Sequence, residues 1–464
     1  MARRKVLFAV NAAFLNAVTV GIASTYSSAA IESMKSSYLK PDVTEVSWIG
    51  SSLPLGAIIG GIIAGYFSDK IGRKGVLMYM STLLLAGWLL IAYATSLPFV
   101  YAGRSLTGIC CGLICVVTPM YIVELSPPAI RGKLGSMFQL YICIGIIISA
   151  TFGYFLPWEW VAVAGAAFAV LAPVSLLPMP ESPRWLYMSG KHSEAVQAVK
   201  FLYGDSTDAS LELITENYNT PSKSELSFRE IFQPTVYKPT LLSIALMFFQ
   251  QFSGSNAVLY YTVSIFKQAN SSVEPSMGNI FVAIIMFFFT LLSSCIMDSV
   301  GRKKCIFVSS LLMCLSLNAF STYLYLSNQN PVLKETLGWI PLLCLLVYIA
   351  SFSIGLGPIP WLMMPEMSPL HARGLICGLG TAFSWIFVFI ITKSFLEIES
   401  LVYDFGAYWI YSCFCFMCCF FSIFLLPETK GKTFEEIESH FAGGQARLQR
   451  LQEIPNNRST DLEG

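Results

Sequence analysis

Twelve apolar runs of about twenty residues, each ended by polar or charged positions, leave this chain few folds to choose from. They fall near 7–27, 48–68, 76–94, 98–120, 136–154 and 158–178, then near 239–262, 276–297, 305–326, 338–363, 375–396 and 405–426. That length crosses the hydrocarbon core of a bilayer as a helix, and the runs lack the period-two alternation of barrel strands. With 55% hydrophobic residues, 12% charged residues and a mean hydropathy of +0.62, the chain carries far more apolar surface than a globular exterior in water accepts. An all-α integral membrane protein is expected.

The polar punctuation repeats. Asp69-Lys70-Ile71-Gly72-Arg73-Lys74 is answered by Asp298-Ser299-Val300-Gly301-Arg302-Lys303. Glu124-Leu125-Ser126-Pro127-Pro128-Ala129-Ile130-Arg131-Gly132 is answered, in the same order, by Glu366-Met367-Ser368-Pro369-Leu370-His371-Ala372-Arg373-Gly374. Such duplication predicts two similar halves of six spans. Residues 1–180 then form an N-terminal six-helix bundle, 181–238 a cytoplasmic linker with short helices, 239–427 the C-terminal bundle and 428–464 a cytoplasmic tail. In the linker, Ala195, Val196, Val199 and Leu202 give 193–203 the apolar face of a short helix.

Lysine and arginine gather at alternate span ends: Arg3 to Lys5, Lys70 with Arg73 and Lys74, Arg131 with Lys133, the linker, Arg302 to Lys304, and Arg373. The positive-inside rule makes that side cytoplasmic and places both termini there; the first apolar run is read as retained. Asn270-Ser271-Ser272 falls on the opposite side as a glycosylation sequon.

Asp69, a turn at Gly72 and Arg73 would hold a tight hairpin by charge pairing and helix capping. Glu124 and Arg131, like Glu366 and Arg373, are separated by prolines that interrupt the helix, so each charge is expected to find its partner on a neighbouring hairpin. The network would then latch the inner ends of the two bundles and part when that side opens. The plainer alternative is that these charges only orient loops.

The seventh run contains Gln250, Gln251 and Asn256. Three amides facing lipid would go unsatisfied, so they are expected to face an interior, where an amide both donates to and accepts from hydroxyls. Bonding between helices is the ordinary alternative. Gln250 and Gln251 share one direction only if the helix is locally irregular. In the tenth run, neither proline of Gly357-Pro358-Ile359-Pro360-Trp361 can complete the helical ladder, which predicts a broken helix.

Together these motifs resemble the major facilitator superfamily and, within it, the sugar porter family. The likeness runs over about residues 7–433 and includes Gly103-Arg104-Ser105-Leu106-Thr107-Gly108, Pro180-Glu181-Ser182-Pro183-Arg184-Trp185 and Pro427-Glu428-Thr429-Lys430-Gly431-Lys432-Thr433. It implies the major facilitator fold, twelve helices in two pseudo-symmetric bundles, and a transporter that works without cofactor or catalysis. The inner gate would consist of Asp69, Arg73, Glu124, Arg131, Asp298, Arg302, Glu366 and Arg373. Sugar contacts would come from Gln139, Gln250, Gln251 and Asn256, with Trp361 as the preferred plate for the sugar's C–H face and Trp385 as the second. Tyr260 and Tyr261 would form the outer gate, and Pro358 and Pro360 would act as hinges. Met286 and Ser384 stand where animal glucose facilitators commonly place asparagines. That combination looks like the insect facilitated trehalose transporter group, with trehalose or a hexose as the expected cargo.

Residues 6–27 contain no Asp, Glu or His, the carrier that a proton-linked sugar porter places there, so facilitated movement through the plasma membrane is expected. A proton-coupled symporter and a membrane sugar sensor that binds without efficient transport are the alternatives. Cys413, Cys415, Cys418 and Cys419 have no histidine beside them and read as small packing groups, not as a metal site or disulfide frame. No P-loop is present, and the tail is too mixed in sign for nucleic acid. Sugar and lipid are the expected partners of a functional monomer. Arg104 is the notable buried charge, expected to orient the bundle through helix-end carbonyls or to contribute to the gate.

Overall fold

A computed structural model describes residues 2–126, 131–204, 231–269, 271–330, 332–369, 372–432 and 434–442. Asn270, the 205–230 part of the linker and the 443–464 part of the tail fall outside the described residues, as do the side chains of Arg131 and Asp298.

Six long helices open the chain: α1 (Ala2–Lys35), α2 (Val43–Ile71), α3 (Arg73–Ala92), α4 (Leu97–Leu125), α5 (Arg131–Phe155) and α6 (Trp158–Leu176). Short helices α7 (Pro183–Met188) and α8 (His192–Tyr203) follow, the second where the apolar spacing predicts one. Span seven comes in two pieces, α9 (Pro234–Phe252) and α10 (Ser255–Gln268). Spans eight and nine are α11 (Pro275–Val300) and α12 (Arg302–Gln329), and the short α13 (Val332–Thr336) follows them. Span ten is again divided, into α14 (Ile340–Ile354) and α15 (Ile359–Met367). Spans eleven and twelve run through α16 (Arg373–Phe424), and α17 (Phe434–Ala442) comes last.

Among the described residues, ten helices are long and apolar enough to cross a membrane by those criteria, against twelve spans expected. Two local features account for the difference. Gly254, at φ +88°, cuts span seven into a 14-residue piece and a 19-residue piece whose Lys238, Gln250 and Gln251 make it too polar, and α16 carries two spans in one 52-residue element. At about 1.5 Å per residue a straight helix of that length would be more than twice the ~30 Å hydrocarbon thickness. The element is not straight. Val402 and Tyr403 leave the helical conformation, Tyr403 at φ +62°, and the rings of Phe395 and Tyr411 stack with centroids 6.4 Å apart. The chain therefore doubles back at 402–403 and yields spans eleven and twelve.

Lipid provides no hydrophobic drive between helices, so the spans associate through close packing and polar contacts. Along the α2–α4 seam, a Cβ on Gly60 would lie 2.0 Å from the Ile109 carbonyl oxygen and one on Gly108 2.1 Å from that of Leu53. The two backbones touch because neither position has a side chain. Arg104, fully buried, pins the same seam: Nη1 donates to the Ala23 carbonyl in α1 at 2.6 Å and Nε to the Ile49 carbonyl in α2 at 3.3 Å. On the outer surface Ile62, Phe288 and Phe424 are 67%, 58% and 75% exposed, an apolar exterior that suits acyl chains.

Gly60→Val should cost roughly 1–3 kcal/mol through overpacking, seen as loss of monodisperse protein and a lower melting midpoint in detergent. Gly65→Ala, whose Cβ would meet nothing within 4 Å, should lower neither.

Candidate substrate site and its gates

The break in span seven organises the candidate site. Gln250 and Gln251 sit near the end of α9, Gly254 supplies a left-handed turn, and Asn256 lies in the first turn of α10. The Ser253 hydroxyl returns to the Gln250 carbonyl at 2.7 Å, and the Tyr348 hydroxyl donates to the Ser253 carbonyl at 2.9 Å. Both glutamines lie inside regular α9, ahead of the break, so the irregularity expected for them is absent; their long side chains meet by bonding to each other. Gln250 Nε2 donates to the carbonyls of Leu356 at 3.0 Å and Gly357 at 2.6 Å. Gln251 Nε2 donates to Gln250 Oε1 at 3.1 Å and to Ser384 Oγ at 3.0 Å, while Asn256 Nδ2 donates to Gln251 Oε1. Three amides and Ser384 thus form one hydrogen-bonded chain touching spans seven, ten and eleven. Ser384, which the sequence presents as a shortened sugar contact, is here a partner of Gln251.

The break in span ten is held from three sides. Pro358 lacks the N–H that would reach the Ile354 carbonyl, and the hydroxyl of Ser293 in α11 donates there at 2.6 Å. Pro360 likewise leaves the Leu356 carbonyl without its helical donor, which Gln250 replaces. The Leu356 N–H, for its part, donates to Ser309 Oγ in α12 at 3.0 Å. Directly after Pro360, Trp361 is half-buried. Trp385, beside Ser384, faces the first half: a Cβ on Gly61 would come 3.9 Å from its ring. Its indole N–H is buried with no hydrogen-bond partner among the described residues. From the first half, half-buried Gln139 stands one turn from Cys143, whose thiol meets Thr290 Oγ1 of α11 at 3.7 Å. Met286 is buried one turn before Thr290.

At the end remote from the charged clusters the two halves close on each other. The Tyr261 hydroxyl donates to the Thr392 carbonyl at 3.0 Å, its ring stacks on Phe395 at 5.2 Å, and a Cβ on Gly50 of α2 would lie 2.3 Å from that hydroxyl. The Tyr260 carbonyl accepts from the Ser27 hydroxyl at 3.5 Å. Further out, Glu32 accepts from Lys267 at 2.8 Å and from the Ser264 hydroxyl at 2.9 Å. Lys393 donates to Ser47 Oγ at 2.6 Å and stands 4.6 Å over the Trp48 ring. The Tyr261 contacts with Thr392 and Phe395 lie within the second half; the others join the first half to the second. The sequence points to the two tyrosines but not to Glu32, Lys267 or Lys393, since a single charge at a span end carries no signal until the fold brings its partner.

The duplicated clusters occupy the opposite end, and the pairs found there run inside each half. Arg73 meets Glu124 at 3.0 Å and Asp69 at 3.3 Å, and Arg302 meets Glu366 at 3.2 Å. Neighbouring hairpins supply the partners as expected, but hairpins of the same bundle, because spans two and four of one half pack side by side. Arg373 Nη2 reaches the Ser368 carbonyl at 3.5 Å.

Two further carboxylates complete the networks. Glu181 accepts from the backbone N–H groups of Arg73 at 3.1 Å, Lys74 at 3.0 Å and Gly75 at 3.2 Å. Glu428 accepts from those of Arg302 at 3.0 Å and Lys303 at 3.2 Å. Both cap helix N-termini, where unpaired N–H groups and the helix dipole favour negative charge. At Gly72 and Gly301, with φ of +87° and +102°, a Cβ would fall 2.4 and 2.7 Å from these carboxylate oxygens. The hydroxyls of Ser182 and Thr429 donate to Glu124 at 2.5 Å and Glu366 at 2.6 Å. The signal for all four residues lies in the sequence as the repeated Pro-Glu-Ser and Pro-Glu-Thr after spans six and twelve.

A family model described as "Sugar (and other) transporter" matches residues 1–441. The facilitated trehalose transporter Tret1 of Apis mellifera ligustica is 37% identical over 444 residues, covering 94% of this chain and 88% of that protein. Tret1 of Bombyx mori is 35% identical over 459 residues, covering 97% and 90%. Among solved structures, the inward-open conformation of the xylose transporter XylE from E. coli is similar at a TM-score of 0.80 and 26% identity, over 93% of this chain and 99% of that one.

Glu181→Ala and Glu428→Ala each remove a cap worth about 1 kcal/mol and should lower the melting midpoint of the purified protein. The double variant should show the sum of the two shifts, because the networks share no residue.

Proposed function

The chain belongs to the sugar (and other) transporter family, and from that membership we propose that it carries trehalose through the plasma membrane by facilitated diffusion. It is a multi-pass sugar porter of the major facilitator fold. The observation that carries the reading is the amide chain of Gln250, Gln251, Asn256 and Ser384, placed where two broken spans meet and beside Trp385, whose ring faces the first half and whose N–H has no partner among the described residues. Gln251, Asn256 and Gln139 bond sugar hydroxyls in this reading, and Trp361 and Trp385 take the C–H faces. Gln250, expected as a fourth contact, is engaged by the Leu356 and Gly357 carbonyls. Trehalose is favoured over a hexose by the trehalose transporters among the relatives. Met286 and the engaged hydroxyl of Ser384 support it too: fewer free polar groups suit a longer, two-ring sugar held largely by stacking.

Residues 1–180 and 239–427 act as two bodies joined by 181–238, with Pro358 and Pro360 as hinges and the termini in the cytoplasm. Tyr260 and Tyr261 close the extracellular side, so the conformation described faces the cytoplasm. Asp69, Arg73, Glu124, Arg131, Asp298, Arg302, Glu366 and Arg373 form the inner gate, each set shaping one bundle's end. The site is complete within one chain, which supports a functional monomer. Arg104 supports uniport: its hydrogen bonds go to the Ala23 and Ile49 carbonyls, with no carboxylate in that set to exchange a proton.

Counterflow in proteoliposomes across trehalose, glucose, fructose and maltose should give the fastest exchange for trehalose. Gln251→Ala and Asn256→Ala should each reduce it roughly tenfold or more, the cost of an unpaired buried polar group. Exchange should survive collapse of the proton gradient without a sugar-dependent proton current. Such a current would overturn uniport; binding without exchange would turn the reading toward a sensor.

A further inference from the structure

We propose that Gln250 is a positioning residue which fixes the polarity of the amide chain, so that Asn256 offers Oδ1, an acceptor, to a hydroxyl of the transported sugar. The part concerning Asn256 rests on the transport reading above; the part concerning Gln250 stands without it.

A carbonyl can only accept. Pro360 deprives the Leu356 carbonyl of its helical donor, and at this depth no lipid group replaces it. Gln250, only 3% exposed, directs Nε2 to the Leu356 and Gly357 carbonyls, which commits both amide hydrogens. Its Oε1 must then face Gln251 as an acceptor. Gln251 is thereby obliged to turn Nε2 toward Gln250, and its second hydrogen goes to Ser384 Oγ. That leaves Gln251 Oε1 for the Asn256 N–H. Among the described residues the chain ends there, so half-buried Asn256 keeps Oδ1 for a ligand. No amide in the series can flip alone without setting two donors or two acceptors face to face. The orientation at the substrate end is thus imposed from the proline break.

Two measurements test this. Hydrogen exchange on the purified chain, without sugar, should show amides of 355–362 exchanging roughly tenfold faster or more in Gln250→Leu and Gln250→Met, which lose the donors, but not in Gln251→Leu. Unchanged exchange in both Gln250 variants would overturn the anchoring role. In proteoliposomes, monodeoxy and monofluoro trehaloses compete for labelled trehalose exchange. Fluorine cannot donate, so at one ring position both analogues should lose competition equally in the parent protein. In Gln250→Leu, where the amides are released to turn, the fluoro compound should regain on the deoxy one. A fluoro analogue that matches trehalose at every position would overturn the acceptor assignment. Absence of exchange with any sugar would count against the transport reading alone, and the hydrogen-exchange result would still decide Gln250.

Discussion

A backbone carbonyl that loses its donor inside a bilayer has no water to turn to, and span ten gives up two helical donors within three residues. The rest of the site follows from how those losses are made good. Ser293 of span eight serves the carbonyl orphaned by Pro358, and Gln250 of span seven serves the one orphaned by Pro360. Ser309 of span nine takes the Leu356 N–H. Three neighbouring spans are therefore committed to keeping the tenth open, and the amides that face the candidate site are the far side of that repair. Function and structural necessity share one hydrogen-bond network here, which is why its members cannot be read as independent ligands.

The two ends of the molecule are held differently. At the basic end, ion pairs and caps bind hairpins within a bundle, so each half stays stiff whichever way it tilts. At the opposite end the links cross between halves and include Lys267, whose side chain is 68% exposed. Exposed pairs contribute about 0–1 kcal/mol each. A closure built from one such pair, a few hydrogen bonds and two tyrosines is easily shifted by a ligand with unequal affinity for the two states.

Much of this was legible in the sequence because the signals were local. Apolar length defined the spans, the repeated clusters defined the halves, and Pro358 with Pro360 marked the break. The adjacent Gln250 and Gln251 were expected to need a helix irregularity, yet both are helical and the turn at Gly254 comes after them; their side chains alone close the distance. What escaped depends on adjacency that no spacing encodes. The partner of Arg73 could be assigned to another hairpin but not to its own bundle. Ser384 stands where an asparagine is common, and its place in the chain gives no sign that its hydroxyl meets Gln251. Glu181 and Glu428 stood in a visible repeat, yet nothing along the chain says which helix N-termini they will meet.

Those two carboxylates have a mechanical meaning. Glu181 follows span six and is fastened to the entrance of span three; Glu428 follows span twelve and is fastened to the entrance of span nine. Each bundle is in effect a ring drawn shut, its exit tied to its own middle. Any pull on the linker is then delivered to the start of span three and shared with α4 through Ser182 and Glu124, so the tether moves a bundle as a whole without first unravelling its last helix.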